Sequence, residues 1–313
     1  MLWQLIVPFL DTCVIKNKIK NNKNLLTVIL LFFLIIVWSS VWSLFKIALE
    51  EVPPLSFRVM TGIPAAILLF IFVLNKKKSL SIPRENWRSL LLISFFNVTL
   101  WQVLMLYGLS LLGGGRAAVL AYTMPVWATI SAGLIGYEKI NLSVTLALIF
   151  GMIGIFSLSI GIGVIDNILG LFLTLSAGLS WGIGTMIVKY GGFKSDGMLV
   201  AGWQQLIGVL PLIPFALYFD LNNFGNPNYI HYLIIFYAIF FSSAYTYWAY
   251  FTVLQKFSVN ITSISVMMVP VLAILIDYFF MGVFLTNFDI VAVIFIVSSI
   301  FIAATKPFNK KID

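Results

Sequence analysis

Few residues in this chain are equipped for bond-making chemistry. It has one histidine, His231, and one cysteine, Cys13. A metal centre needs three or four clustered ligands, and a disulfide framework needs paired thiols, so neither organises this chain and no metal is expected. Gly113-Gly114-Gly115 stands before Arg116, with no Lys-Ser or Lys-Thr behind it. It reads as a tight turn and not a phosphate cradle, so ATP is not the expected energy source and no cofactor is implied. His231 reads as an interfacial residue rather than a catalytic one.

Two ionisable residues, Arg58 and Asp277, fall inside long apolar runs. Placing a charge in hydrocarbon costs from about 3 to above 10 kcal/mol, so each needs a partner or water. One reading makes them gate elements or mutual partners near one membrane surface. The other lets Arg58 snorkel to the headgroups while Asp277 faces water on the same side.

Aromatic and small polar residues gather at mid-depth of several runs. They are Trp38, Ser39 and Trp42, then Trp101 and Gln102, Tyr122 and Thr123, Trp181 and Thr185, Tyr245, Thr246 and Trp248, and Met267 and Met268. Trp and Tyr usually sit at membrane interfaces, so rings at the midplane need another explanation. A binding cavity would use their faces to stack on a small amphipathic solute and their polar atoms to orient it. Plain helix packing with satisfied hydroxyls would use the same residues. Pro125 and Pro270 stand mid-run. Each removes a backbone donor and frees a carbonyl, which makes a gating element or a static kink. Pro64, Pro211 and Pro214 read as structural kinks, and Gly178 with Gly182 as a close-packing face.

The elements that must hold these residues follow from composition. Of 313 residues, 61% are hydrophobic and 10% charged, which leaves too few polar side chains to solvate a globular surface. Lipid is the implied solvent. About twenty apolar residues cross a bilayer. Runs of that kind fall near 25–45, 55–74, 89–109, 117–136 and 142–161, then 168–188, 198–218, 231–250, 260–282 and 290–304. They are continuous and do not alternate, so the expected fold is an all-α integral membrane protein of ten transmembrane helices. The first run lacks a cleavage site and reads as an uncleaved helix.

The net charge of +8 is distributed in short clusters between the runs, which suits membrane orientation and not nucleic-acid binding. Lys16, Lys18, Lys20, Lys23, Lys76, Lys77, Lys78, Arg84, Arg88, Lys139, Lys189, Lys194, Lys256, Lys306, Lys310 and Lys311 share one side. Glu50, Glu51, Asp166, Asp220 and Asp289 mark the other. Both termini are therefore expected in the cytoplasm, in a bacterial inner membrane.

The halves match. Trp38 and Lys46 correspond to Trp181 and Lys189 at an offset of 143, and Pro125-Val126 to Pro270-Val271 at 145. Five spans separate equivalent helices, so the second half is threaded the opposite way. Inverted repeats of this kind suit secondary carriers, with the solute site near the midplane.

The chain also resembles the drug/metabolite transporter superfamily in its EamA-type branch. The resemblance rests on Val37-Trp38-Ser39-Ser40, Phe45-Lys46-Ile47-Ala48, Glu51-Val52-Pro53-Pro54 with Phe57-Arg58, Ala117 to Val126, Gly136-Tyr137-Glu138-Lys139, Leu179-Ser180-Trp181-Gly182 and Val269-Pro270-Val271. It covers roughly residues 25 to 305 and implies two inverted five-helix repeats that export amino acids or related metabolites. The expected organisation is a cytoplasmic or interfacial segment over 1–24, repeats over 25–161 and 168–305, and a cytoplasmic tail over 306–313. Glu138 follows the fourth run, but Met281-Gly282-Val283 holds no matching acid, which argues against a symmetric glutamate pair.

The expected solute contacts are Trp38, Ser39, Trp42, Trp101, Tyr122, Trp181, Thr185, Tyr245, Thr246 and Met267. The gating or coupling candidates are Arg58, Pro125, Pro270 and Asp277. The expected partners are a small-molecule solute and membrane lipid, in a monomer or homodimer. A multidrug exporter of lipophilic cations is the alternative and would rely on Asp277. A membrane-embedded enzyme is a remote third reading, since one His, one Cys and two isolated charges offer it little.

Overall fold

The computed structural model describes residues 22–112, 114–136, 140–161, 167–280 and 284–305. The expected segment over 1–24 (up to residue 21), the tail over 306–313, Glu138 and Asp166 lie outside the described residues, as do the side chains of Arg116 and Asp277.

Every described element is helical. They form ten rods: α1 Asn22–Glu51, α2 Pro54–Asn75, α3 Arg84–Leu112, α4 in the pieces Gly114–Ala121 and Met124–Leu134, and α5 Leu142–Gly161. The second half continues with α6 Ile168–Tyr190, α7 Gly197–Asp220, α8 Tyr229–Lys256, α9 in the pieces Val259–Ser265 and Met268–Phe280, and α10 Asn287–Thr305. Each expected apolar run is recovered in order. Six of the rods are long and apolar enough to cross a membrane, and the others are shorter apolar helices.

Local chemistry sets the ends. Pro54 opens α2, where its missing N–H is no loss, and Lys76 to Lys78 end it. Asn167 and Asp196 cap α6 and α7 by accepting from the Gly170 and Met198 amides. Asn228 and His231 form a capping box at the start of α8, so the lone histidine is a terminal cap. Thr286 and Asp289 serve α10 in the same way, the Asp289 carboxylate accepting from the Thr286 amide at 2.6 Å. Lys189 closes the far end of α8 by donating to the Leu254 and Phe257 carbonyls.

The two halves pack as an inverted pair. α1 lies against α8 and α9, and the equivalent helix α6 lies against α3 and α4. The self-equivalent pairs α2 with α7 and α5 with α10 pack on each other. In the last pair, Ser157 donates to the Phe288 carbonyl at 2.9 Å and Ser299 to the Ala147 carbonyl at 2.5 Å. These serines stand nearly at the offset that relates Trp38 to Trp181. The fold is thus ten transmembrane helices in two inverted five-helix repeats.

The proline expectation needs correcting. Neither Pro125 nor Pro270 kinks a continuous helix. α4 stops at Tyr122-Thr123 and restarts at Met124, and α9 stops at Val266-Met267 and restarts at Met268. Each proline sits in the first turn of the new piece, where no intrahelical donor is required. The two breaks share a tightened pattern: Thr123 donates to the Leu120 carbonyl at 3.2 Å, and Met267 to the Ile264 carbonyl at 3.1 Å. Glycine lets α6 reach the first break. A Cβ at Gly178 would stand 3.1 Å from the Ala121 carbonyl oxygen, and one at Gly182 2.8 Å from the Ala128 nitrogen. Gly114 and Gly115, expected in a turn, belong to the first piece of α4, and Gly113 lies outside the described residues.

Candidate functional site

The bundle holds a partly open cavity of about 40 Å³, room for a few waters and smaller than an ordinary small-molecule site. α1 supplies Trp38, Val41, Trp42 and Phe45, and α3 supplies Trp101, Gln102 and Met105. Tyr122 and Met124 flank the break in α4, Trp181 comes from α6, and Ser242 and Tyr247 come from α8. All of these residues stand near the middle of their helices. The lining contains no charged side chain.

Trp181 is the hub. Its ring meets Trp38 edge to face at 5.4 Å and 81°, and lies 5.0 Å from Trp101, 5.8 Å from Tyr247 and 5.3 Å from Tyr250. Trp38 and Trp181 are equivalent in the two repeats, so their contact marks the axis that relates the halves. Tyr250 also reaches Trp38 at 5.3 Å, and its hydroxyl is shared with Thr185 at 2.8 Å and Trp181 Nε1 at 3.4 Å. These rings close the cavity toward the lysine-rich side, because Tyr250 and Thr185 lie further along α8 and α6 in that direction.

Tyr247 is held from three sides. It accepts from Gln102 at 3.1 Å, donates to the Asn97 carbonyl at 2.8 Å, and its ring lies 6.0 Å from the Arg58 guanidinium. The Asn97 carbonyl belongs to a π-helical turn, Phe95–Leu100, and Ser242 to another, Ala238–Tyr245. The wider turns change the phase of the helix, and turns of this kind recur at functional sites.

A second hollow of about 410 Å³ opens toward the acidic side, between Leu49, Glu50, Glu51, Tyr107, Asp220 and Asn223 among others. Leu49 is one turn beyond Phe45 on α1, and Tyr107 half a turn beyond Met105 on α3. Two of its three carboxylates are already engaged. Glu51 accepts from the Asn226 amide at 2.6 Å, and Asp220 from the Ser56 amide at 2.6 Å.

Half of the expected solute contacts meet here: Trp38, Trp42, Trp101, Tyr122 and Trp181 line the cavity. The other half do not. Ser39 donates to the Ile35 carbonyl of its own helix at 2.7 Å, and Thr246 likewise to Ser242. Thr185 stands behind Tyr250, and Tyr245 turns away to the Leu30 carbonyl at 3.0 Å. Met267 is buried at the α9 break beside Ser299 and Gly151. A small hydroxyl in a membrane helix finds its own i−4 carbonyl more readily than a distant ligand, which explains the serine and threonine misses. Sequence reasoning missed Val41, Phe45, Met105, Met124, Ser242, Tyr247 and Tyr250 as site residues. Helical spacing could have found Phe45 and Met105, which follow Trp42 and Trp101 at three and four residues.

Of the gating candidates, Arg58 does not snorkel. Its guanidinium runs inward along α2, where a Cβ at Gly62 would stand 3.3 Å from Cζ. It donates to Ser243 Oγ at 3.1 Å and to Gln205 Oε1, on α8 and α7. The Arg58–Asp277 pairing falls on a side chain outside the described residues, and Arg58 has these other partners.

The EamA-like transporter family model matches residues 25–160 and again 168–305. The chain belongs to this family. Among similar proteins, the EamA-like chain is 27% identical to YoaV, an uncharacterized transporter of Bacillus subtilis, over 242 residues, 76% of this chain and 83% of the relative. It is 30% identical to YvbV, another uncharacterized transporter of that organism, over 188 residues, 60% of this chain and 61% of the relative. A WAT1-related chloroplastic protein of Arabidopsis thaliana is 25% identical over 261 residues, 77% of this chain and 61% of the relative. One solved crystal structure at 16% identity superposes with a TM-score of 0.74 over 88% of this chain and 96% of the other. That likeness supports the fold alone. The EamA-like chain is therefore a multi-pass membrane transporter.

Proposed function

We propose that this EamA-like transporter is a secondary carrier that exports a small metabolite such as an amino acid by alternating access. The observation behind this is the contact of Trp38 with Trp181 across the repeat axis, at the closed end of a ring-lined, uncharged cavity. A site on the axis belongs equally to both halves, so an exchange of their conformations would open it first to one side and then to the other. In the state described, aromatic rings stand between the cavity and the lysine-rich side, and a hollow lies beyond it on the acidic side. We read this as an outward-facing form. The lysine distribution supports a bacterial inner membrane with both termini in the cytoplasm, and the lining supports a carrier rather than an enzyme.

The test is uptake of a metabolite panel, amino acids and lipophilic cations included, into proteoliposomes with and without a pH gradient. Uptake of metabolites that is lost in both W38A and W181A supports the proposal. Uptake no greater than in empty vesicles overturns it, and transport of lipophilic cations alone would make the chain a multidrug exporter. Cysteines placed at Ser195 and Asn223 should label from opposite sides of the membrane. Labelling from one side would remove the inverted threading on which alternating access depends.

A further inference from the structure

Arg58 is fully enclosed, at 3% exposure, and its charge is not neutralised by any described carboxylate. A guanidinium stays protonated in proteins, so this is a permanent positive charge at mid-bundle. Its described partners are the neutral oxygens of Gln205 and Ser243, and its Nε has none. The Tyr247 ring lines the cavity, and the guanidinium carbon lies 6.0 Å from its centroid. In a low-dielectric interior such a charge imposes a positive potential on the space beyond the ring.

The cavity wall is consistent with that field. No lining residue is acidic, so a ligand ammonium meets ring faces but no counter-ion. Donors are present instead. Trp42 Nε1 is buried with no hydrogen bond of ordinary geometry, its nearby acceptor being the Tyr122 hydroxyl, and the Gln102 amide donates to Tyr247 with one N–H to spare.

We propose that Arg58 sets the charge of the solute: the cavity takes a small molecule with an apolar or aromatic body and one carboxylate, seated with that carboxylate on the Ser242 and Tyr247 side. The proposal rests on the carrier reading and deepens it by naming the group that is recognised. Arg58 acts here as a positioning residue through Tyr247, and it accounts for a buried charge that the fold alone leaves unexplained. The same field opposes lipophilic cations.

The test uses three probes with one body and different charge: 3-phenylpropionate, 3-phenylpropanamide and 3-phenylpropylamine. Their binding to the purified full chain is followed by quenching of the cavity tryptophans. At the separation of Arg58 from the cavity, each step from carboxylate to amide to amine should weaken binding roughly tenfold. R58Q should compress the three values to within about threefold, chiefly by weakening the carboxylate, and R58K should restore the order. A melting curve establishes whether R58Q folds; if it does not, the order in the wild-type protein decides. Equal binding of amide and carboxylate, or preference for the amine, overturns the proposal. If none of the three binds, the aromatic-carboxylate assignment is overturned, while uptake in the metabolite panel separately decides the carrier reading.

Discussion

At the scale of single residues, the tryptophans divide by what their atoms touch. Trp181 makes four ring contacts, and aromatic pairs contribute about 0.5–1.5 kcal/mol each beyond burial. W181A should therefore destabilise the protein by about 3–5 kcal/mol in thermal melts and abolish uptake, whereas Y250F, which loses only a hydroxyl, should cost about 1 kcal/mol. Trp42 differs because its ring packs at 5.9 Å on Tyr122 while its Nε1 makes no hydrogen bond of ordinary geometry. W42F should leave the melting temperature nearly unchanged and weaken solute binding about tenfold, the value of one donor to a charged acceptor. S39A should change neither, because its hydroxyl serves its own helix. The sequence made the cavity aromatics legible through depth and repeat equivalence. It could not show which way the small polar residues turn, since a helix that is apolar all round carries no stripe to mark its inward face.

At the scale of elements, the contact of α6 with α4 is a tight constraint on the site. G182V would drive a branched side chain into the Ala128 backbone and the Trp127 Cβ, which lies 2.7 Å from a Cβ at that position. Overpacking of this kind costs about 1–3 kcal/mol, and because it displaces Tyr122 and Met124 it should weaken solute affinity as well as stability. Binding and melting measured on the same sample check both. The order of the ten spans and the paired prolines were readable, because length and residue type are local. The breaks ahead of the prolines were not, because a lost turn leaves composition unchanged. The direction of Arg58 depended on Gly62 and on two partners in the other half of the chain, which no local pattern encodes.

At the scale of the whole molecule, the lysine-rich side ties the repeats together. Lys78 pairs with Asp196 at 2.5 Å, and Lys194 with Glu85 at 3.0 Å, linking the α2–α3 connection and the start of α3 to the α6–α7 connection. Burial raises the Asp196 carboxyl pKa, but the Lys78 hydrogen bond, the Met198 amide and the charges of Lys78 and Lys76 outweigh it and hold the group below the usual carboxylate range. A folded-state value below the unfolded one adds stability at neutral pH and loses it as pH falls through that depressed range. The pair is partly exposed, so its contribution is at most about 1 kcal/mol. Melting curves at pH 7 and in acid should show a small decrease in the wild type that D196N has already lost at pH 7. The inverted arrangement itself was legible from two matched pairs, since threading follows from counting spans.

The π-helical stretch Ala238–Tyr245 has a consequence for engineering and for descent. An extra residue wound into one turn works as a phase shifter: everything after it is rotated by about 100° relative to a regular helix of the same length. Excising one amino acid there would leave hydropathy, span length and loop charges intact. Yet Tyr247 and Tyr250 would swing off the repeat axis together. Relatives that differ by a single-residue indel at this point should share the scaffold and diverge in cargo.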